Sequence, residues 1–291
     1  HMDIGSAKIM PDEMDGIPHH LIDVLEPWEE FNVTRFQAMA KEAMAGIYSR
    51  GHVPIVTGGT GFYIQALAYD IDFTENEDHS GIREELEQLA AERGEEHLHQ
   101  MLAQIDPESA RAIHANNVKR VIRAIEYYRL TGEKISEHNK REREKTSPYD
   151  LYYYVLTRDR AALYERIDRR VDIMMEQGLV DEVKRLKEMG CTRDMVAMQG
   201  LGYKEILDYL DGTISLGEAV YIIKRDTRHF AKRQLTWFKR ERDVRFIAMD
   251  DGNAPWVKLQ DGTGQPEDDQ QNILTYICND YFGGRNKHGI E

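Results

Sequence analysis

Between Asn32 and Arg50, apolar or small residues recur at Phe36, Ala40, Ala43 and Ile47, three or four positions apart, and Gly51 follows directly. That spacing predicts an amphipathic helix with a glycine stop. Val53–Val56 is a short, continuous apolar run of the kind a buried strand shows. Gly58, Gly59 and Gly61 separate it from Phe62–Ala68, which reads as the start of the next helix. Strand, glycine turn and helix in succession predict an α/β core with a mostly parallel sheet.

From Thr74 the pattern turns polar and helical. Ile82, Leu86 and Leu89 form one stripe; Val118, Val121, Ile122 and Ile125 form another, with Asn116 or Asn117 as its cap and Gly132 as its stop. Strand character returns only at Leu151–Thr157, reached through the proline turn at Ser147–Tyr149. Residues 74–145 therefore read as a helical insertion into a core made of residues 1–73 and 146–250. Beyond the strand, Leu163, Ile167, Val171 and Met174 mark a further core-facing helix, and helices continue to about Arg242. Residues 251–291 read as a C-terminal loop and a short helix: Asp250–Gln271, poor in apolar residues, is the loop, and Ile273–Tyr281 the helix.

With 291 residues, 41% of them hydrophobic and 31% charged, the chain has enough apolar material for a substantial core. No apolar run approaches the roughly 20 residues of a membrane helix, and no basic-then-apolar leader opens it. Two cysteines, Cys191 and Cys278, exclude a disulfide framework or a cysteine zinc site. The expectation is a cytoplasmic protein with no membrane partner.

A net charge of −14 argues against a nucleic-acid partner when taken as a sum. Its distribution argues the other way. Acidic residues gather at Glu75–Asp78, Glu95–Glu96 and Glu267–Asp269, whereas Lys119–Arg123, Asn139–Lys145 and Lys224–Arg242 are locally basic. An acidic chain with basic faces has segregated its charge.

Four clusters can carry chemistry. The loop "TGGTG" lacks the Walker spacing, which occurs nowhere in these residues. It is either a tight turn whose Thr60 caps a helix or a loop that brings a substrate to the Thr60 hydroxyl. Arg166 and Arg170 lie four apart on one helix face and repel by a few tenths of a kcal/mol unless an anion sits over them. The alternative is that Glu165, paired with Arg169, and nearby aspartates neutralise that face. Lys119, Arg120 and Arg123 share one side of a helix whose other side is apolar; a solvated amphipathic surface helix is the commoner case, and an RNA-facing side is the alternative. In "RHFAKRQLTWFKR", Ala231, Leu235 and Phe238 are expected to be buried. Arg228, Lys232 and Lys239, beside His229, Gln234 and Trp237, are left outward, the interleaving of cations and aromatics that single-stranded RNA binding uses. His19 and His20 are adjacent and lack a third ligand at metal spacing, so a packing role is expected for them.

In order along the chain, "MDIGSAKI", "GIPHHLIDV", "VPIVTGGTGFYIQAL", "NNVKRVIRAIE", "RIDRRVD", "GLVDEV", "GLGYKEILDYL" and "AKRQLTWFK" resemble the tRNA dimethylallyltransferases, also called tRNA isopentenyltransferases. The resemblance runs from Met2 to about Arg242. It implies a P-loop NTPase-like α/β core with a helical insertion that grips the anticodon stem-loop. It also implies transfer of a dimethylallyl group from dimethylallyl diphosphate to N6 of the adenosine 3′ of the tRNA anticodon, with diphosphate leaving and Mg2+ assisting.

Residue by residue, the resemblance places Thr60 in the reaction channel and Arg170, with Arg166, on the diphosphate. It makes Gly58, Gly59 and Gly61 the loop where the two substrates meet. The tRNA would be lined by Arg83, by Lys119, Arg120 and Arg123, by Gln199, Gly200, Gly202, Tyr203 and Lys204, and by Lys232, Arg233, Gln234, Trp237 and Lys239. In that family the P-loop and an aspartate that takes the adenine proton lie upstream of "MDIG". These residues are accordingly expected to bind tRNA as a monomer, to supply no metal ligand of their own and to fall short of transfer without that segment. Two other classes stay open: a tRNA-binding remnant that recognises the anticodon arm without catalysis, and a small-molecule P-loop kinase, which leaves both basic clusters unexplained.

Overall fold

A computed structural model describes residues 1–73, 81–249, 256–258, 277, 278, 280 and 281. The chain divides into two compact units, one made of His1–Ile64 with Asp150–Glu291 and the other of Gln65–Tyr149.

Helix α1 (Val33–Ser49) opens on Asn32, whose side chain accepts from the Arg35 N–H, and buries Gln37, Ala40 and Met44. Gly51, at φ +74°, supplies the left-handed residue that ends it. Val53–Val56 is not a strand in the described structure: Ile55 is 85% exposed and Val53 52%. A parallel strand exists only through hydrogen bonds to neighbours in a sheet, and none of the described strands pairs with this run. The glycine loop and α2 (Gly61–Ala68) follow.

The second unit is helical. It comprises α3 (Ile82–Arg93), α4 (Glu95–Ile105), α5 (Pro107–Ala112), α6 (Val118–Thr131) and α7 (Ile135–Glu144). Leu86, Leu98, Leu102, Val121, Ile122 and Ile125 form its core, with Ile82 and Leu89 packed against it. Asn117 stands at the start of α6 without a side-chain cap, and Gly132 ends that helix at φ +72°. Buried Asp106 accepts from the backbone and hydroxyl of both Ser109 and Ser136, tying α5 to α7. Burial would push its carboxyl up, but the hydrogen bonds from Ser109 and Ser136 outweigh it and hold the group below the usual carboxylate range.

The chain then enters β1 (Tyr153–Thr157) and crosses through α8 (Arg160–Glu176), α9 (Leu179–Glu188), α10 (Tyr203–Leu210) and α11 (Leu216–Phe238) to β2 (Val244–Ala248), which pairs with β1 in parallel. The sequence reading leaves 250–271 as loop, yet β3 (Trp256–Lys258) falls within it and pairs antiparallel to β2, making the described sheet mixed. Propensity is weak for three residues; the ladder to Phe246–Ala248 supplies the rest. Of the predicted C-terminal helix, residues 277, 278, 280 and 281 are helical and the remainder lies outside the described residues. Leu179, Val183, Leu186, Met198, Ile206 and Ile223 form the helical core of this unit. Tyr153, Val155, Phe238 and Val244 form a smaller cluster against the sheet.

Candidate functional site

The glycine loop is held from the side by α11. The Gln234 Nε2–H donates to the Gly59 carbonyl at 2.8 Å. A Cβ on Gly61 would overlap the indole of Trp237, which also meets the Phe62 ring edge-on at 6.4 Å. Gly61 is thus required for close approach. Beneath the loop, Tyr63 stacks on Phe36 at 4.9 Å and meets Phe31 at 6.1 Å. The Thr60 carbonyl accepts the N–H of Ile64 and starts α2. Its hydroxyl makes no hydrogen bond among the described residues and is exposed. Of the two readings of Thr60, a side-chain cap is therefore absent here, and the hydroxyl is available to a ligand.

The same α11 carries an open face. His229, Lys232, Arg233, Thr236, Trp237 and Arg240 line a hollow of about 420 Å³. Lys232, Arg233 and Lys239, expected there, are exposed, and Arg233 lies 5.7 Å from the Phe230 ring centroid. His229, named on this face from the sequence, lines the hollow; Thr236 and Arg240 are additions, Thr236 lying three and four residues from Arg233 and Lys232, and Arg240 four from Thr236. Gln234, expected along RNA, donates to the chain's own loop, and Trp237, which lines the hollow, also lies against Gly61 of that loop. Phe238 is buried as expected, while Ala231 and Leu235 are half-buried. Arg228 is not outward, since Asp168 of α8 binds it.

That ion pair bears on Arg166 and Arg170. Asp168 is engaged by Arg228 and Asp172 by Lys224 at 2.6 Å, so the acids of α8 turn toward α11. Arg166 and Arg170 are exposed, and no carboxylate pairs with either among the described residues. The alternative pairing of Glu165 with Arg169 is not formed among them. Two like charges one helical turn apart are thus left without an internal counterion.

In the segment 199–204, the Gln199 amide is tied to the Arg193 carbonyl, and Lys204 lies 3.5 Å from Glu205. Gly202, at φ +97°, opens α10. Tyr203, expected to line RNA, is a core residue at 2% exposure: its hydroxyl donates to Glu182 at 2.9 Å, and burial pushes the phenol far up from its ordinary value. The helix α10 turns that side chain onto α9, which period alone does not reveal. Glu182 itself is 1% exposed and escaped the sequence reading. The available signal was an acid beside Leu179, Val183 and Leu186, inside the apolar stripe of α9.

In the second unit, Arg83 is bound to Glu126 at 2.6 Å rather than held free for a phosphate. Arg129 pairs with Glu85 and Arg141 with Glu133. Lys119, Arg120 and Arg123 are exposed and make no ion pair among the described residues, while Val121, Ile122 and Ile125 on the opposite side of α6 are buried. No cluster of three or more His, Cys, Asp or Glu among the described residues could hold a metal ion. No described helix is long and apolar enough to cross a membrane.

Comparison with known proteins converges on one family. The IPP transferase family model matches residues 1–241. The tRNA dimethylallyltransferase of Lachnoclostridium phytofermentans is 60% identical over 254 residues, covering 87% of this chain and 81% of that protein. The crystal structure of the full-length tRNA isopentenylpyrophosphate transferase from Bacillus halodurans matches at 40% identity with a TM-score of 0.65, over 99% of this chain and 84% of that one. A eukaryotic dimethylallyltransferase solved in the course of acting on tRNA matches at 27% identity with a TM-score of 0.75, over 98% and 70%.

Proposed function

The chain belongs to the IPP transferase family, and from that premise we propose how its surfaces divide the work of prenyl transfer to tRNA. The activity is transfer of a dimethylallyl group from dimethylallyl diphosphate to N6 of the adenosine 3′ of the tRNA anticodon, with release of diphosphate. The observation that carries the assignment of roles is the free Thr60 hydroxyl on a loop clasped by α11, the helix that also bears the cationic hollow.

Thr60 meets the adenine amine and orients it toward the prenyl carbon; a preset geometry removes orientational entropy from the barrier. Arg170 and Arg166 neutralise the diphosphate as charge accumulates on it, a preorganised electrostatic contribution. RNA phosphates lie over Lys119, Arg120 and Arg123 and over Lys232, Arg233 and Lys239, with Gln199 and Lys204 as further contacts. Gly58 leaves space for the ligand, since nothing lies within 4 Å of where its Cβ would be. Mg2+ is the family's expected assistant to the diphosphate. The described side chains offer it no cage, so no step here runs through it.

The test is incorporation of labelled dimethylallyl into an anticodon stem-loop by the chain joined to the family's upstream P-loop segment. Transfer that needs the adenosine and falls in Thr60→Ala is the expected result. RNA binding without transfer would return the chain to a recognition module, and phosphorylation of a small molecule without RNA binding would favour a kinase.

A further inference from the structure

Glu182 receives four donors on its two oxygens. Oε2 accepts the N–H groups of Asp3 and Ile4 at 2.9 and 2.8 Å. Oε1 accepts the Gly5 N–H at 3.0 Å and the Tyr203 hydroxyl at 2.9 Å. A buried carboxylate is stable only when its acceptor sites are filled in this way. The Tyr203 ring lies so close to Gly5 that a Cβ there would come 2.5 Å from the ring, and it also covers Gly200. Beyond the turn, the Asp3 carboxylate binds Lys8, which reaches Asp23 at 2.7 Å. One side chain of α9 therefore fastens two segments far apart in sequence, the turn at residues 3–8 and the segment 199–204.

We propose that Glu182, acting through Tyr203, is a positioning residue for RNA recognition: it sets the loop bearing Gln199 and Lys204 against the Asp3–Lys8 turn. The inference rests on the reading of that loop as an RNA contact. The tyrosine hydroxyl is the only link from Glu182 into the 199–204 segment among the described hydrogen bonds. Removing it frees the loop without opening a cavity, because the ring remains.

The decisive variant is Tyr203→Phe in the chain joined to the family's upstream P-loop segment, assayed by steady-state transfer to an anticodon stem-loop with each substrate varied in turn, alongside thermal melting. The KM for RNA should rise about tenfold, the order lost with one hydrogen bond to a charged group. The kcat and the KM for the prenyl diphosphate should stay within about twofold. Glu182→Gln should move the same constant further, because its amide presents a donor to donors; if that variant does not fold, Tyr203→Phe alone decides. A lowered melting temperature with an unchanged KM for RNA would make the clamp purely structural and overturn the proposal, as would a shift confined to the prenyl diphosphate. If the parent protein itself does not use RNA, the functional reading falls and takes this inference with it; an active parent with an unmoved variant overturns the inference alone.

Discussion

The Gln234 side-chain amide and the Gly59 carbonyl meet at 2.8 Å across 175 positions of sequence, and Trp237, one turn further along α11, lies against Gly61. The helix that presents cations to solvent therefore also sets the backbone of the loop that carries Thr60.

A methyl group at Gly61 should unseat that arrangement. Gly61→Ala is expected to cost about 1–3 kcal/mol, the range for overpacking a filled site, and to slow prenyl transfer by displacing Thr60. Combined with Trp237→Ala, the two stability losses should be less than additive, because the clash is gone once the indole is removed. Chemical denaturation of the two single variants and the double variant measures the coupling; strict additivity would mean the residues do not share the contact.

Arg120→Ala with Arg123→Ala should weaken tRNA binding and flatten its salt dependence, each lost phosphate contact removing about 0.7–0.9 from the logarithmic slope. Stability should hold, since both guanidinium groups are exposed and without an ion pair among the described residues. A filter-binding titration across salt reads the slope, and prenyl diphosphate affinity serves as the control that should not move.

With the family's upstream P-loop segment joined to the chain, Arg170→Ala is expected to lower single-turnover transfer by on the order of a hundredfold, as loss of one charge-stabilising donor does, with tRNA affinity nearly preserved. The acids beside it are engaged with α11, so the substitution breaks no ion pair. A rate within about twofold of the parent, well under one kcal/mol, would make the α8 face a solvated one.

Asp106 links acid stability to the second unit. Its carboxyl titrates below the ordinary 3.8 in the folded state, so its stabilising contribution is complete above that value and is lost as pH falls through the folded-state pKa. Asp106→Asn should melt lower than the parent near pH 6, and the gap should narrow as pH drops toward about 3. A gap that stays constant across that range would remove Asp106 from the acid response.

Periodicity was enough to read the helical insertion core, α8 and the buried side of α6, because a helix must hide its apolar stripe against something whatever the partner is. It was also enough to find the charge of Lys119, Arg120, Arg123, Arg166 and Arg170, which needs only composition and spacing. Val53–Val56 shows the limit: an apolar run states a wish for burial, while a strand requires hydrogen-bonding neighbours that the run cannot name. β3 is the converse, a weak local pattern made into strand by its ladder to β2.

The ordered motifs of the chain sufficed to place it in its family and to single out Thr60 and the glycine loop. Only the tertiary structure separated Arg166 and Arg170 from Arg83 and Arg228, since whether a cation is free depends on which carboxylate lies opposite it. Only the structure set Gln234 and Trp237 against the chain's own glycine loop, buried Tyr203 and revealed Glu182 as the residue that joins two distant segments. A sequence records which groups share a helix face; hydrogen bonds and close contacts are made between faces, and their partners are settled only when the chain has packed.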